Sequence, residues 1–163
     1  MAVLGWGKPR IFIAKVENDV ATDWVELPTP VENSTELSTE KGDKQEAKIE
    51  GGANEDVRYA KNTYALALNL RAVKGRVRPI EDEDGIILGT YAIAVQPEDP
   101  EVDGFMIDKS AVSIEDTWST EEGGIWIYTF DALQPKEGKQ LKWGKVVATG
   151  EGESLQVQFT ESK

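Results

Sequence analysis

Apolar and polar residues alternate most regularly between Thr63 and Val73. Tyr64, Leu66, Leu68, Leu70 and Ala72 fall on one side and Thr63, Ala65, Ala67, Asn69 and Arg71 on the other, the period of two that predicts a half-buried strand. Upstream, Gln45 to Glu50 predicts a second, shorter strand with Ala47 and Ile49 on one face. Between the two, Gly51 to Asn62 is polar, and its Gly51, Gly52, Asn54 and Asn62 all tolerate positive φ. The stretch reads as two strands joined by a loop of about twelve residues, near the upper limit for compact domains. Such a loop is either a mobile hairpin tip or a docking element.

The same period recurs along the chain. Arg10 to Val16 sets Phe12, Ala14 and Val16 against Ile11, Ile13 and Lys15, and Asn18-Asp19 turns it into a returning strand over Asp23 to Leu27. Further strands are predicted at Leu88 to Gln96, Phe105 to Ile107, Ala111 to Trp118, Ile125 to Phe130, Gln140 to Ala148 and around Leu155, Val157 and Phe159. Val31 to Lys44 is polar, with Leu37 as a single anchor, and reads as a solvated loop or edge strand. Lys74 to Gly85 breaks the pattern: Pro79, then Glu81 to Asp84, then Gly85, suit one short helix. The apolar Ala2 to Trp6 either packs on its own core or reaches a neighbouring subunit. The fold class predicted is mainly β, an antiparallel sandwich or barrel of about eight or nine strands with one short helix, as a single domain over residues 1–163.

Composition narrows the chemistry. The chain has no cysteine and no histidine, which removes disulfides, Cys-based zinc sites and His-dependent triads. Acidic residues outnumber basic ones 30 to 18, for a formal net charge of −12. That excess repels phosphate backbones and anionic membranes, so sequence-specific nucleic-acid binding is not expected. No secretory leader and no apolar run of about twenty residues is present, which predicts folding in the cytoplasm without a membrane span. The acidic run matches an EF-hand template at Asp82, Asp84 and Gly85 but fails where Ile80 and Tyr91 should be ligands. Gly150-Glu151-Gly152 lacks the lysine and following helix of a phosphate loop. No carboxylate pair stands out from surface charge, so no catalytic, cofactor or metal site is expected, and function is sought in surfaces.

Three segments, GWGKPRIFI, WVELPTPVENSTEL and KGDKQEAKIEGGANEDVRYAKNTYALALNLR, carry a resemblance of arrangement that covers most of the chain. They resemble the phage tail tube family, including the major tail proteins of long-tailed phages and the tube proteins of contractile injection systems. The resemblance implies a two-sheet β-structure with a short helix at Lys74 to Gly85, hexameric rings stacked into a hollow tube, and a long loop bridging rings. It places Gln45 to Glu50 and Thr63 to Val73 in the lumen wall and makes Gly51, Gly52, Asn54, Glu55, Asp56, Arg58 and Tyr59 the inter-subunit candidates. The partners implied are further copies of the chain, other tail proteins and DNA in passage. The location implied is the virion tail, assembled in the host bacterial cytoplasm. A different reading is a monomeric β-sandwich binding module, with Trp118, Trp126 or Trp143 as a carbohydrate platform. It predicts exposed aromatics and a stable monomer, where the tube reading predicts buried aromatics and self-association.

Overall fold

The computed structural model describes residues 7–162, so Ala2 to Trp6 lies outside the described residues. Among the described residues eleven strands form in chain order: β1 (Arg10–Glu17), β2 (Val20–Glu26), β3 (Glu36–Glu40), β4 (Lys44–Lys48), β5 (Asn54–Tyr59), β6 (Thr63–Arg71), β7 (Thr90–Gln96), β8 (Gly104–Ser119), β9 (Gly123–Ala132), β10 (Leu141–Thr149) and β11 (Gln156–Glu161). Nine make one antiparallel sheet in the order β2-β1-β7-β8-β9-β6-β3, with β10 branching from β8 and carrying β11; β4 and β5 pair only with each other.

Burial explains the two kinds of strand. On β6, Leu66, Leu68 and Leu70 are buried while alternate residues are not, as the period of two requires. β1 and β7 are instead buried through Ile11–Ala14 and Ala92–Gln96 without alternation, because each packs on both faces. Ile11, Ile13, Ile93 and Val95 join Leu66, Leu68, Leu70, Tyr128 and Phe130 in the main core. On the reverse face Phe12 and Ala94 meet Val146 and Leu155, beside Trp24, Val157 and Phe159. The architecture is sandwich-like, with β1 and β7 sharing one core with β6 and β9 and the other with β10 and its sequel.

The predicted break between Phe105 to Ile107 and Ala111 to Trp118 is absent: β8 is continuous and changes partners there. Its first half pairs with β7 and β10, its second with β9. The polar residues between the two predicted strands serve this crossover. Asp108 pairs with Lys142 at 2.5 Å, and the buried Ser110 hydroxyl donates to the Tyr91 carbonyl at 2.7 Å, beside the register shift of β7 on β8.

The helix predicted over Lys74 to Gly85 does not form. Asp84 and Gly85 both take positive φ (51° and 86°), and Glu83 and Ile86 exchange backbone hydrogen bonds of 3.0 Å across them, the geometry of a tight Asp-Gly hairpin turn. The Asp82 carboxylate accepts from the Gly85 N–H at 2.8 Å. The segment is held as a loop by Ile80, 3% exposed, whose carbonyl accepts from the Tyr128 hydroxyl at 3.2 Å. Local turn chemistry and one buried anchor outweigh a helix that has no apolar stripe to bury.

Candidate functional site: a free arm and an open sheet face

The largest departure from the expected loop is at Lys44 to Tyr59. Gln45 to Glu50 does not pair with the strand that starts at Thr63. β4 pairs with β5, Lys44 opposite Tyr59 and Ala47 opposite Asp56, in a two-stranded arm outside the main sheet. Its tip turns at Glu50-Gly51, where the Gly52 N–H donates to the Ile49 carbonyl at 3.1 Å and Gly51 has φ of 90°. That positive φ at the third position of the turn favours glycine. No atom lies within 4 Å of where a Cβ on Gly51 or Gly52 would sit, so the glycines serve backbone shape rather than packing.

Every residue of the arm strands is exposed except Val57, which is half-buried. Ile49 and Tyr59 are 51% and 57% exposed. The Lys44 ammonium bridges to Glu46 at 2.6 Å and Lys48 approaches the same carboxylate at 3.7 Å. The Lys44 hydrogen bond holds the Glu46 carboxyl below its ordinary range. These surface pairs contribute little, and an isolated two-stranded hairpin is marginal in water. The arm is nevertheless firmly rooted. Ala60 N–H donates to the Asp43 carbonyl at 2.8 Å and Gly42 N–H to Asn62 Oδ1 at 3.1 Å. A Cβ on Gly42 would lie 2.1 Å from the Ala60 carbonyl oxygen, so only glycine fits this root. From root to tip the arm spans about 25 Å at strand rise.

A second feature is the outward face of β3, β6, β9 and the distal half of β8. Paired residues share a face, so the registers assemble it from Glu36, Ser38 and Glu40, from Thr63, Ala65, Ala67, Asn69 and Arg71, from Ile125, Ile127, Thr129 and Asp131, and from Ala111, Ser113, Glu115 and Thr117. Most of these side chains are small, and four carboxylates stand against one guanidinium. Arg71 itself donates to the Glu122 carbonyl at 2.8 Å. The face is smooth and acidic.

The sequence-predicted residues sort accordingly. Gly51 and Gly52 lie in the arm tip and Asn54, Glu55, Asp56, Arg58 and Tyr59 on β5, so the structure gathers all seven into one element but makes it a hairpin, not a loop. Sequence reasoning missed β5 because its alternation, Asn54, Asp56 and Arg58 against Glu55, Val57 and Tyr59, has no core-facing side. The tryptophans separate: Trp126 is half-buried beneath Arg78, 5.3 Å from its ring, Trp143 is 52% exposed against Phe105, and Trp118 is 74% exposed. Trp143 lies opposite Phe105 near the start of β8 and Trp118 lies at its far end, roughly 40 Å apart along the strand. Among the described residues no three His, Cys, Asp or Glu side chains are grouped to hold a metal ion, and no helix is long and apolar enough to cross a membrane. No family model matches the sequence, and no curated protein matches it.

Proposed function

We propose that the chain is a tail-tube subunit of a phage or prophage, a structural protein without enzymatic activity that assembles into stacked hexameric rings around a DNA conduit. The observation that carries this reading is the arm. A rooted hairpin whose strand residues, Val57 apart, are all exposed is stable only marginally by itself and gains a reason to exist when another copy covers it. The free edges of β2, β3 and β11 raise the same demand, since unpaired strand edges are satisfied by neighbours in a closed ring. The outward face of β3-β6-β9-β8 suits the wall of the conduit: small side chains offer no grip, and its carboxylates repel DNA phosphates so that the genome slides. Other tail proteins would cap the tube ends, and assembly would take place in the host bacterial cytoplasm before release in the virion.

The exposed Trp118 and Trp143 favour the second reading, a monomeric binding module. Their separation prevents them from forming one platform, and each alone offers a single stacking surface. Negative-stain microscopy of the concentrated chain decides between the two. Rings or tubes are the expected result. Persistent monomers whose melting temperature rises with added glycan would replace the tube reading with the binding module.

A further inference from the structure

We infer that the acidic arm tip of one copy docks on the basic, apolar end of the next copy, the end reached where β6 finishes. The inference rests on the self-assembly reading and adds to it the receiving surface and the direction of the contact.

The tip, Ile49 to Asp56, carries Glu50, Glu55 and Asp56 and no cation, beside the exposed Ile49. The chain leaves the arm root directly into β6, and at the opposite end of β6 begins Arg71 to Ile80, ten residues with four cations and no acid. In a chain of net charge −12 this is the exceptional segment. Copies of such a chain repel one another at long range, so association requires a local match of opposite sign. Arg78 is committed to Asp82 and Asp116 at 2.7 and 2.5 Å. Arg71 and Arg76 instead donate to backbone carbonyls, of Glu122 and of Arg71, at 2.8 and 2.7 Å, and retain their charge for a partner.

The same end also exposes apolar surface. Val73, Val77 and Trp118 are 46%, 78% and 74% exposed, and Trp118 lies opposite Gly124, whose carbonyl accepts from the Ala72 N–H at 2.9 Å. Apolar contact flanked by complementary charge is the composition of an interface core and rim. The arm root and the basic end are separated by the length of β6, roughly 30 Å at strand rise. The arm is rooted at one end of β6 and the receiving surface lies at the other, so the two docking patches are different and the contact is head-to-tail, a heterologous pairing that propagates instead of closing as a dimer.

The chain has no cysteine, so engineered thiols report the contact without background. Glu50→Cys and Lys74→Cys chains, mixed and oxidised, should cross-link to each other, and the doubly substituted chain should give a ladder of multimers on a non-reducing gel. Lys74→Glu with Arg76→Glu should weaken self-association about tenfold at low salt, and Glu50→Lys with Glu55→Lys on the same chain should restore it. Circular dichroism checks that each variant folds. If excising the arm abolishes assembly while the Lys74/Arg76 reversal leaves it unchanged, the docking surface is wrong and the assembly reading stands. Cross-linking of Glu50→Cys only to itself would likewise overturn the head-to-tail contact. Assembly that survives arm excision would remove both.

Discussion

Replacing Tyr128 by Phe tests how the loop that presents the basic end is tied to the core. Tyr128 is 1% exposed, and its hydroxyl donates to the Ile80 carbonyl at 3.2 Å. Burial pushes its pKa up to about 12 from an ordinary value of 10.0. A raised phenol pKa means the folded state holds its proton where the unfolded chain has released it, so stability is intact below pH 10 and declines between about 10 and 12. Two pH units correspond to roughly 2.7 kcal/mol over the full window, and about 1.4 kcal/mol is lost by pH 11. At neutral pH, Tyr128→Phe forfeits one hydrogen bond and leaves a buried carbonyl unsatisfied, a cost of about 1–3 kcal/mol. Urea unfolding followed by tryptophan fluorescence at about pH 7, 9 and 11 measures both. The gap between wild type and variant should be largest at neutral pH and narrow by about 1.4 kcal/mol at pH 11. A gap that stays constant across that range would refute the claim that the buried phenol resists ionisation.

Leu68→Ala, at a position 0% exposed in the main core, should cost about 2–5 kcal/mol in the same assay. Ala67→Lys, on the outward face of the same strand, should unfold within about 1 kcal/mol of wild type yet make assembled particles retain DNA on a gel, because it places a cation on the acidic face. Acidification should destabilise the fold: the Arg10 hydrogen bond depresses the Glu26 carboxyl and the Ser162 and Lys145 hydrogen bonds depress that of Asp103. Their contribution is present above the unfolded carboxylate range of about 4 and lost as pH falls through the lower folded values, so Glu26→Gln should flatten the acid limb of stability measured by thermal unfolding. Gly42→Val should displace the arm root and lower amide-exchange protection at Ala60, whereas Gly51→Ala, at a φ of 90°, should strain only the tip, by about 1–2 kcal/mol.

Strands that face a core were legible in the sequence and the arm was not, for one physical reason. Leu66, Leu68 and Leu70 alternate because one face is buried, and the continuous apolar runs of β1 and β7 reflect burial on both faces. β5 buries neither face, so Asn54 to Tyr59 reads as a loop although it is a strand. The pairing is hidden with it: the apolar alternation nearest to Gln45 to Glu50 is Thr63 to Val73, while the actual partner of β6 on that side is the short polar edge strand β3. Asp108 and Ser110 interrupt the pattern of β8 for a crossover that exists only in three dimensions. At Lys74 to Gly85 the sequence did carry the deciding signal, since Asp84-Gly85 is a hairpin turn pair, but Pro79 and the acids match a helix start equally well. The outward acidic face could be half-read from the alternation on β6. Its other contributors become neighbours only through the registers of β3, β8 and β9.

The central claim is that the arm exists to be covered by another copy. It is tested most directly by joining Asp43 to Ala60, which are already hydrogen-bonded at 2.8 Å, through a two-residue Asn-Gly turn in place of Lys44 to Tyr59. Sedimentation velocity over a concentration series should then show the intact chain forming oligomers and the armless chain a monomer that melts within a few degrees of wild type. An armless chain that oligomerises like the intact one, or an intact chain that stays monomeric at the highest concentrations reached, would contradict the account.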